Sequence, residues 1–239
     1  MITLDEVKKR LEPWFKDRGF ISNSGQRLWF EDNGFYLTVA EIQPIIGRGF
    51  ILNMGVSFLW NDSFSGGYDY SFGDIGVYVP NALFGAVSFD SPAFENDLCF
   101  VLEECNKRII FYRELKQLDT LDERLNNRND NAVLVNKDFK KWDKSHAITR
   151  MLLGDTETAT QILTNDISRY NEYISANFIG QDDIIKEKCD DFISKRLLDC
   201  IDNRDDFKKL LIDIINNCRR DFSIKKRLKL NDIDSLFND

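Results

Sequence analysis

The chain has 239 residues, of which 43% are hydrophobic and 30% are charged, and this composition excludes an intrinsically disordered chain. With 40 acidic and 32 basic residues, the formal net charge is -8. That charge disfavours a nonspecific polyanion binder, which must neutralise phosphates with lysine and arginine, and favours a partner with a basic surface.

The cysteines and the hydropathy pattern predict a cytoplasmic protein. The five cysteines are odd in number and form no C-x-x-C pair, so we interpret them as core residues of a reducing compartment. The first residues lack the basic and apolar regions of a signal peptide. The longest uncharged stretch, residues 75–89, is too short for a membrane-spanning helix. We therefore expect no membrane association.

The first predicted element is a helix that ends at Gly19. Thr3 and Glu6 have the spacing of a capping box, and apolar residues recur after them at helical spacing. Pro13 is expected to kink or shorten the helix, because it lacks a backbone donor. Gly19 and Phe20 then predict a left-handed cap followed by an apolar residue that folds back on the last turn.

Three strands are predicted next. Strands over residues 26–31 and 35–42 are joined through Asn33 and Gly34, a dipeptide suited to the positive φ angles of a tight hairpin. Alternating large apolar residues predict a third strand over residues 50–60 with one wholly apolar face. The first helix is the nearest element that can cover this face.

A change in composition predicts a boundary at Ser91 and Pro92. Residues 1–93 hold 11 of the 13 glycines and all four prolines, whereas the rest of the chain is poor in both. A long helix is expected from this point to about Arg128, followed by helices near residues 138–153, 156–177, 182–201 and 205–220. The predicted fold class is α+β: a helix on a small, mainly antiparallel sheet in residues 1–90, then an all-helical bundle of hairpins in residues 91–239 that packs as one unit with the first segment.

The sequence contains no recognisable cofactor or metal motif. His146 is the only histidine, which excludes every site built on two histidines, and its place on an apolar helix stripe favours a packed core residue over a catalytic base. Gly47 and Gly49 begin a pattern similar to a dinucleotide fingerprint, but Leu52 occupies the third glycine position and a strand follows. We therefore expect neither a cofactor nor a metal ion.

The stretch of residues 60–89 is rich in aromatic residues and glycines, which is typical of a binding surface. The candidate partner-binding residues are Trp60, Tyr68, Tyr70 and Phe72. A second interpretation is that the stretch forms further strands of the sheet with packed aromatic side chains, because Ile75, Val77 and Val79 alternate as in a strand. The sequence leaves both interpretations open.

One basic cluster stands out in this acidic chain. Its candidate residues are Arg219, Arg220, Lys225, Lys226 and Arg227. Such a cluster can contact nucleic acid or an acidic partner, or it can be a solvated helix end whose cations complement the helix dipole. The net charge of the chain makes the solvated helix end the favoured interpretation.

The order of features in the N-terminal part resembles a bacterial family known only as a domain of unknown function. The residues that carry the resemblance are Gly19-Phe20, Leu28-Trp29-Phe30, and residues 49–56 running into Leu59-Trp60. The resemblance implies a bacterial, cytosolic protein, and it transfers no catalytic residues.

Three functional hypotheses follow from the sequence. The leading hypothesis is a non-enzymatic protein–protein interaction protein of the immunity or regulatory type. The second is an enzyme that acts on a small molecule or nucleotide through carboxylates and tyrosines, with Glu41, Tyr68 and Tyr70 as its residues. The third is nucleic-acid binding through the basic cluster.

Overall fold

The computed structural model describes residues 2–22, 27–60, 75–127, 143–177 and 192–221, without the side chains of the last two. The chain divides into two compact units. The first consists of Met1–Phe58 and Ser65–Glu114, and the second of Leu59–Phe64 and Leu115–Asp239. This division by contacts falls after Glu114, so residues 91–114, which the composition assigns to the helical segment, belong to the first unit.

Helix α1, Leu4–Lys16, begins with the predicted capping box. The Thr3 N–H donates to Glu6 Oε2 at 2.7 Å, and the Glu6 N–H donates to Thr3 Oγ1 at 3.3 Å. Pro13 lies inside the helix without ending it. Gly19 has a φ of 89°, and the Phe20 N–H donates to the Phe15 carbonyl at 3.0 Å, which confirms the predicted left-handed cap.

The sheet of the first unit is antiparallel, with the order β1-β2-β3-β4-β5 and β6 also paired to β4. Its strands are β1 (Ile21–Ser22), β2 (Leu28–Asp32), β3 (Tyr36–Ile45), β4 (Gly49–Phe58), β5 (Gly76–Val77) and β6 (Val87–Ser88). The predicted hairpin is confirmed. Gly34 has a φ of 93°, and its N–H donates to Asp32 Oδ1 at 2.8 Å. The predicted α+β class is confirmed as well.

The helices after the sheet differ from prediction at one point. They are α2 (Phe94–Glu114), α3 (Leu118–Asn127), α4 (Asp143–Leu152), α5 (Thr156–Asn177), α6 (Ile193–Asp199) and α7 (Arg204–Asp221). The single long helix predicted up to Arg128 is wrong, because the chain turns at residues 115–117. An unbroken helix would place Leu121 about 180° around the axis from Tyr112, and both side chains are buried. The break allows each helix to bury its own apolar stripe.

Two helices cover the apolar face of the sheet. The ring of Phe15 in α1 stacks on Trp29 of β2 at a centroid distance of 4.7 Å. The hydroxyl of Tyr112 in α2 donates to the Met54 carbonyl at 3.3 Å, and the hydroxyl of Tyr36 donates to the Tyr112 carbonyl at 2.6 Å. The predicted cover by α1 is therefore completed by α2, which contacts β4 itself.

The second unit is built of packed helices. Helix α4 contacts α3 and α5, and α5 contacts α6, while Gly154 between α4 and α5 has a φ of 85°. This agrees with the predicted helical hairpins. The predicted elements over residues 128–142 and 178–191, and the C-terminal piece after residue 221, lie outside the described residues. Within the described part of the chain, no helix combines the length and hydropathy needed to span a membrane.

Candidate functional site

A cleft of about 540 Å³ opens in the first unit. It is lined by the turn between β3 and β4, by the loop between β5 and β6, and by the chain that leads into α2. Its volume lies within the range of about 300 to 1,000 Å³ that ligand sites of proteins occupy.

The β3–β4 turn forms one wall of the cleft through Ile45, Gly47 and Arg48. Gly47 has a φ of 68°, and the Arg48 N–H donates to the Ile45 carbonyl at 3.0 Å. A Cβ atom on Gly49 would lie 2.1 Å from the Val87 carbonyl oxygen, so only glycine allows β6 to approach β4 here. Gly47 and Gly49 therefore have a structural role in the hairpin, in agreement with the rejection of a dinucleotide motif.

The loop between β5 and β6 forms a second wall and has an unusual backbone. Asn81 and Phe84 have φ angles of 62° and 58°, although neither is a glycine. Asparagine tolerates this region, whereas for a bulky residue such as phenylalanine it costs on the order of 1 to 3 kcal/mol. Four backbone hydrogen bonds hold the loop, and the shorter two run from the Val79 N–H to the Gly85 carbonyl at 2.8 Å and from the Gly85 N–H to the Ala82 carbonyl at 2.9 Å.

Large apolar side chains are exposed around the cleft. We call four residues the apolar rim: Leu83 (70% exposed) and Phe84 (58%), which line the cleft, and Ile46 (95%) and Tyr78 (47%), which are next to lining residues in the chain. The ring of Tyr78 lies against two glycines, since Cβ atoms on Gly76 and Gly85 would lie 2.5 and 2.7 Å from it. Single exposed apolar residues are ordinary, but a group of them around one cleft marks an interaction site.

Three charged side chains complete the cleft. The guanidinium of Arg48 lies 5.1 Å from the centroid of the Phe84 ring, a cation–π contact. Asp90 and Asp97 line the cleft on the chain that leads into α2. Among the described residues, none forms an ion pair with these three side chains. The cleft thus offers two carboxylates and one guanidinium to an incoming group.

The predicted partner-binding residue Trp60 is not on the surface. Its side chain is 0% exposed, and its indole N–H donates to Ser145 Oγ at 3.0 Å within the second unit. An internal acceptor for the N–H explains why the whole side chain can be buried. The other three candidates, Tyr68, Tyr70 and Phe72, lie outside the described residues.

The aromatic stretch that the sequence singled out does reach the cleft, but through other residues. Tyr78 and Phe84 belong to residues 60–89 and are its exposed aromatic side chains in the described part. The turn dipeptide Pro80-Asn81 and the pair Phe84-Gly85 signal a loop at this place. The second interpretation also holds in part, because Val77 lies in β5 and pairs with Leu52 of β4.

The basic cluster is not exposed at its first residue. Arg219 is buried, because it follows Ile215 by four positions and lies on the stripe that α7 turns inward. The side chain of Arg220 and the residues Lys225, Lys226 and Arg227 lie outside the described part of the chain. Nucleic-acid binding by those residues stays a prediction.

His146 is a packed core residue in a charged network of the second unit. Its Nε2 lies 3.1 Å from Asp122 Oδ1, and Arg150 Nε lies 2.6 Å from the same oxygen. Arg150 also reaches Asp155 at 3.2 Å. Burial lowers the pKa of His146 below its ordinary value of 6.5, and the carboxylate of Asp122 acts in the opposite direction. The network ties α3 to α4 and matches the predicted core histidine.

A second network joins α4, α5 and α6. The Ser194 hydroxyl donates to Asp166 at 2.6 Å, and Arg169 pairs with Asp143. Burial raises the pKa of Asp166, an effect that the hydrogen bond from Ser194 partly offsets. Because Ser194 is fully buried, we assign this network to packing between helices.

Neither a search for clusters of metal-ligating side chains among the described residues nor comparison with known proteins indicates a function. Among the described residues, no three histidine, cysteine, aspartate or glutamate side chains come together in a group that could hold a metal ion. Comparison with protein-family models, curated proteins and solved structures finds no match for the chain. The resemblance of the N-terminal part to a bacterial family of unknown function stays a prediction.

Proposed function

We propose that the protein binds a protein partner through the apolar rim and acts as a non-enzymatic interaction protein of the immunity or regulatory type. The observation that carries the proposal is Phe84, which is held at a φ of 58° and is nevertheless 58% exposed. Strain of about 1 to 3 kcal/mol in a loop is tolerated when it serves a function. Burial of a phenylalanine side chain against a partner contributes about 1.5 to 3 kcal/mol to the free energy of binding.

The surroundings of Phe84 support the same proposal. Aromatic residues and arginine are enriched among the residues that dominate binding energy in protein interfaces. Here the Arg48 guanidinium lies against the Phe84 ring, and Leu83 and Tyr78 extend the surface on the same loop. A rim of this kind around a cleft suits an inserted side chain of a partner.

The proposal is tested by photo-crosslinking followed by titration. A photo-reactive amino acid at position 83 is expected to capture one reproducible protein in extracts of the native host, which is then identified and purified. The matched control places the same amino acid at Ile110, an exposed apolar residue of α2 that is 54% accessible and does not line the cleft.

In titrations with that purified partner, Phe84→Ala is expected to weaken binding at least ten-fold, or about 1.4 kcal/mol. Ile110→Ala is expected to bind like the wild type. Equal affinities for the wild type and the Phe84→Ala variant would refute the apolar rim as the interface.

The volume of the cleft favours a second candidate function, the binding of a small molecule or nucleotide, as in the enzyme hypothesis. Asp90, Asp97 and Arg48 would supply its polar contacts. A ligand at a hundred times its Kd is expected to raise the unfolding free energy by about 2.7 kcal/mol, measured by thermal shift over a panel of metabolites and nucleotides. Stabilisation that persists in an Asp90→Asn, Asp97→Asn double variant would place the ligand elsewhere.

A further inference from the structure

We infer that the cleft selects a partner segment in which a lysine or arginine lies close to a large apolar side chain. The inference rests on the proposed function and names the chemistry of the partner. It comes from three properties of the cleft: its apolar rim, its two carboxylates and the position of its one guanidinium.

The net charge of the cleft determines whether it attracts a cationic or an anionic side chain of the partner. Asp90 and Asp97 line the cleft, and no described cation forms an ion pair with either of them. The guanidinium of Arg48, the cation of the cleft, lies over the Phe84 ring. Two carboxylates against one guanidinium leave the cleft negative, as is the whole chain with its net charge of -8. A cationic side chain is therefore attracted, and an anionic one is repelled.

The apolar rim determines which kind of side chain lies next to the partner's cationic residue. Leu83 and Phe84 are 70% and 58% exposed and lie on the loop that forms one wall. A large apolar side chain that packs on them removes this surface from water. Lysine and arginine have long aliphatic stems, so their stems can pack on the same rim while the charged ends reach the carboxylates. One short segment of a partner protein can therefore contact both the carboxylates and the apolar rim.

A simpler role for the two carboxylates is to stabilise helix α2, and the experiment must distinguish this role from partner binding. Asp97 lies in the first turn of α2, and Asp90 precedes that helix, so both interact favourably with the positive end of the helix dipole. If this were their only role, their removal would lower stability and leave ligand choice unchanged. The two roles therefore differ in a binding experiment.

The experiment selects peptides of 12 random residues, displayed on phage, against the immobilised full chain. The enriched peptides are expected to carry a lysine or arginine within three positions of an aromatic or large aliphatic residue. One enriched peptide is synthesised and titrated by fluorescence polarisation against the wild type and three variants. The variants are Asp90→Asn with Asp97→Asn, Leu83→Ala with Phe84→Ala, and Glu114→Gln as the control. Glu114 is an exposed carboxylate of α2 that does not line the cleft.

Both cleft variants are expected to bind at least ten-fold more weakly, and the Glu114→Gln control is expected to bind like the wild type. A peptide whose basic residue is changed to glutamine is expected to lose at least ten-fold as well, which tests the contact without altering the protein. Peptides that depend on Leu83 and Phe84 but lack basic residues, or that bind the carboxylate variant normally, would overturn this inference alone. A library without any peptide that depends on those two residues would overturn the proposed function together with the inference.

Discussion

At the scale of single residues, the loop between β5 and β6 has a backbone conformation that its sequence does not predict. Nothing in the residue type of Phe84 indicates a left-handed backbone, because phenylalanine rarely adopts one. The composition of the aromatic stretch is typical of a binding surface, yet its predicted partner-binding residue Trp60 is buried. Its hydrogen-bond acceptor, Ser145, is 85 residues away, and a pairing at that distance leaves no local pattern.

Strain at Phe84 predicts a difference between two truncations. Both Phe84→Ala and Phe84→Gly remove the ring, but only glycine adopts a φ of 58° without steric cost. We therefore expect the glycine variant to be more stable than the alanine variant by about 1 kcal/mol, measured by urea denaturation. An alanine variant as stable as the glycine variant would show that the loop is not strained at this residue.

The glycines of the β3–β4 turn allow a matched pair of substitutions. Gly49→Ala places a Cβ atom 2.1 Å from the Val87 carbonyl oxygen, whereas Gly47→Ala meets no atom within 4 Å. The first substitution is expected to lower the unfolding free energy by roughly 2 kcal/mol or more, because backbone must move. The second is expected to cost about 1 kcal/mol from its positive φ alone. The reverse order in thermal unfolding would contradict the close approach of β6.

At the scale of elements, local sequence patterns are sufficient to predict the structure of those segments whose conformation depends on a few neighbouring residues. The capping box of α1, the Asn33-Gly34 hairpin and the alternation in β4 each lie within about ten residues, and all three are present in the structure. The break between α2 and α3 has no local signal in the sequence, because residues 115–117 contain neither glycine nor proline. The position of the break depends on which apolar stripes of α2 and α3 are buried, and the tertiary packing of the whole fold determines this.

The network that ties α3 to α4 predicts a dependence of stability on pH. The folded pKa of His146 is lowered below 6.5 by burial, so the unfolded chain binds the proton more tightly. The contribution of the neutral ring is present above pH 6.5 and is lost as the pH falls through this value towards the folded pKa. We expect the unfolding free energy to decrease between pH 7.5 and 5.5, measured by urea denaturation.

The control for this prediction is His146→Gln, which keeps a polar side chain of similar reach but does not titrate. Its stability is expected to change less over the same pH interval. An equal slope in both proteins would assign the pH dependence to other groups.

At the scale of the whole molecule, the described chain passes from the first unit to the second at Leu59, is in the first unit again at Ile75, and leaves it after Glu114. The composition predicts two segments with a boundary at Ser91, and this boundary concerns secondary structure, because glycine and proline content does not report contacts. The short segment from Leu59 to Phe64 is invisible to any such count. Its described residue Trp60 contributes a fully buried side chain to the second unit.

Trp60 therefore provides a test of the division into units. Trp60→Ala is expected to lower the unfolding free energy by about 3 to 5 kcal/mol, and Ser145→Ala by about 1 to 3 kcal/mol through the unpaired indole N–H. Hydrogen exchange is expected to accelerate in α4, which carries Ser145 in the second unit. Faster exchange confined to β4, in the first unit, would contradict the assignment of Trp60.

The hydrogen bond between Trp60 and Ser145 has a kinetic consequence during protein synthesis. At about 5 to 20 residues per second, Ser145 follows Trp60 out of the ribosome after roughly 4 to 17 s, because 85 residues separate them. All residues of the first unit, which ends at Glu114, have been synthesised by then. For that interval the indole of Trp60 lacks its native acceptor, and the emerging chain exposes one of its largest apolar side chains to chaperones and to neighbouring nascent chains.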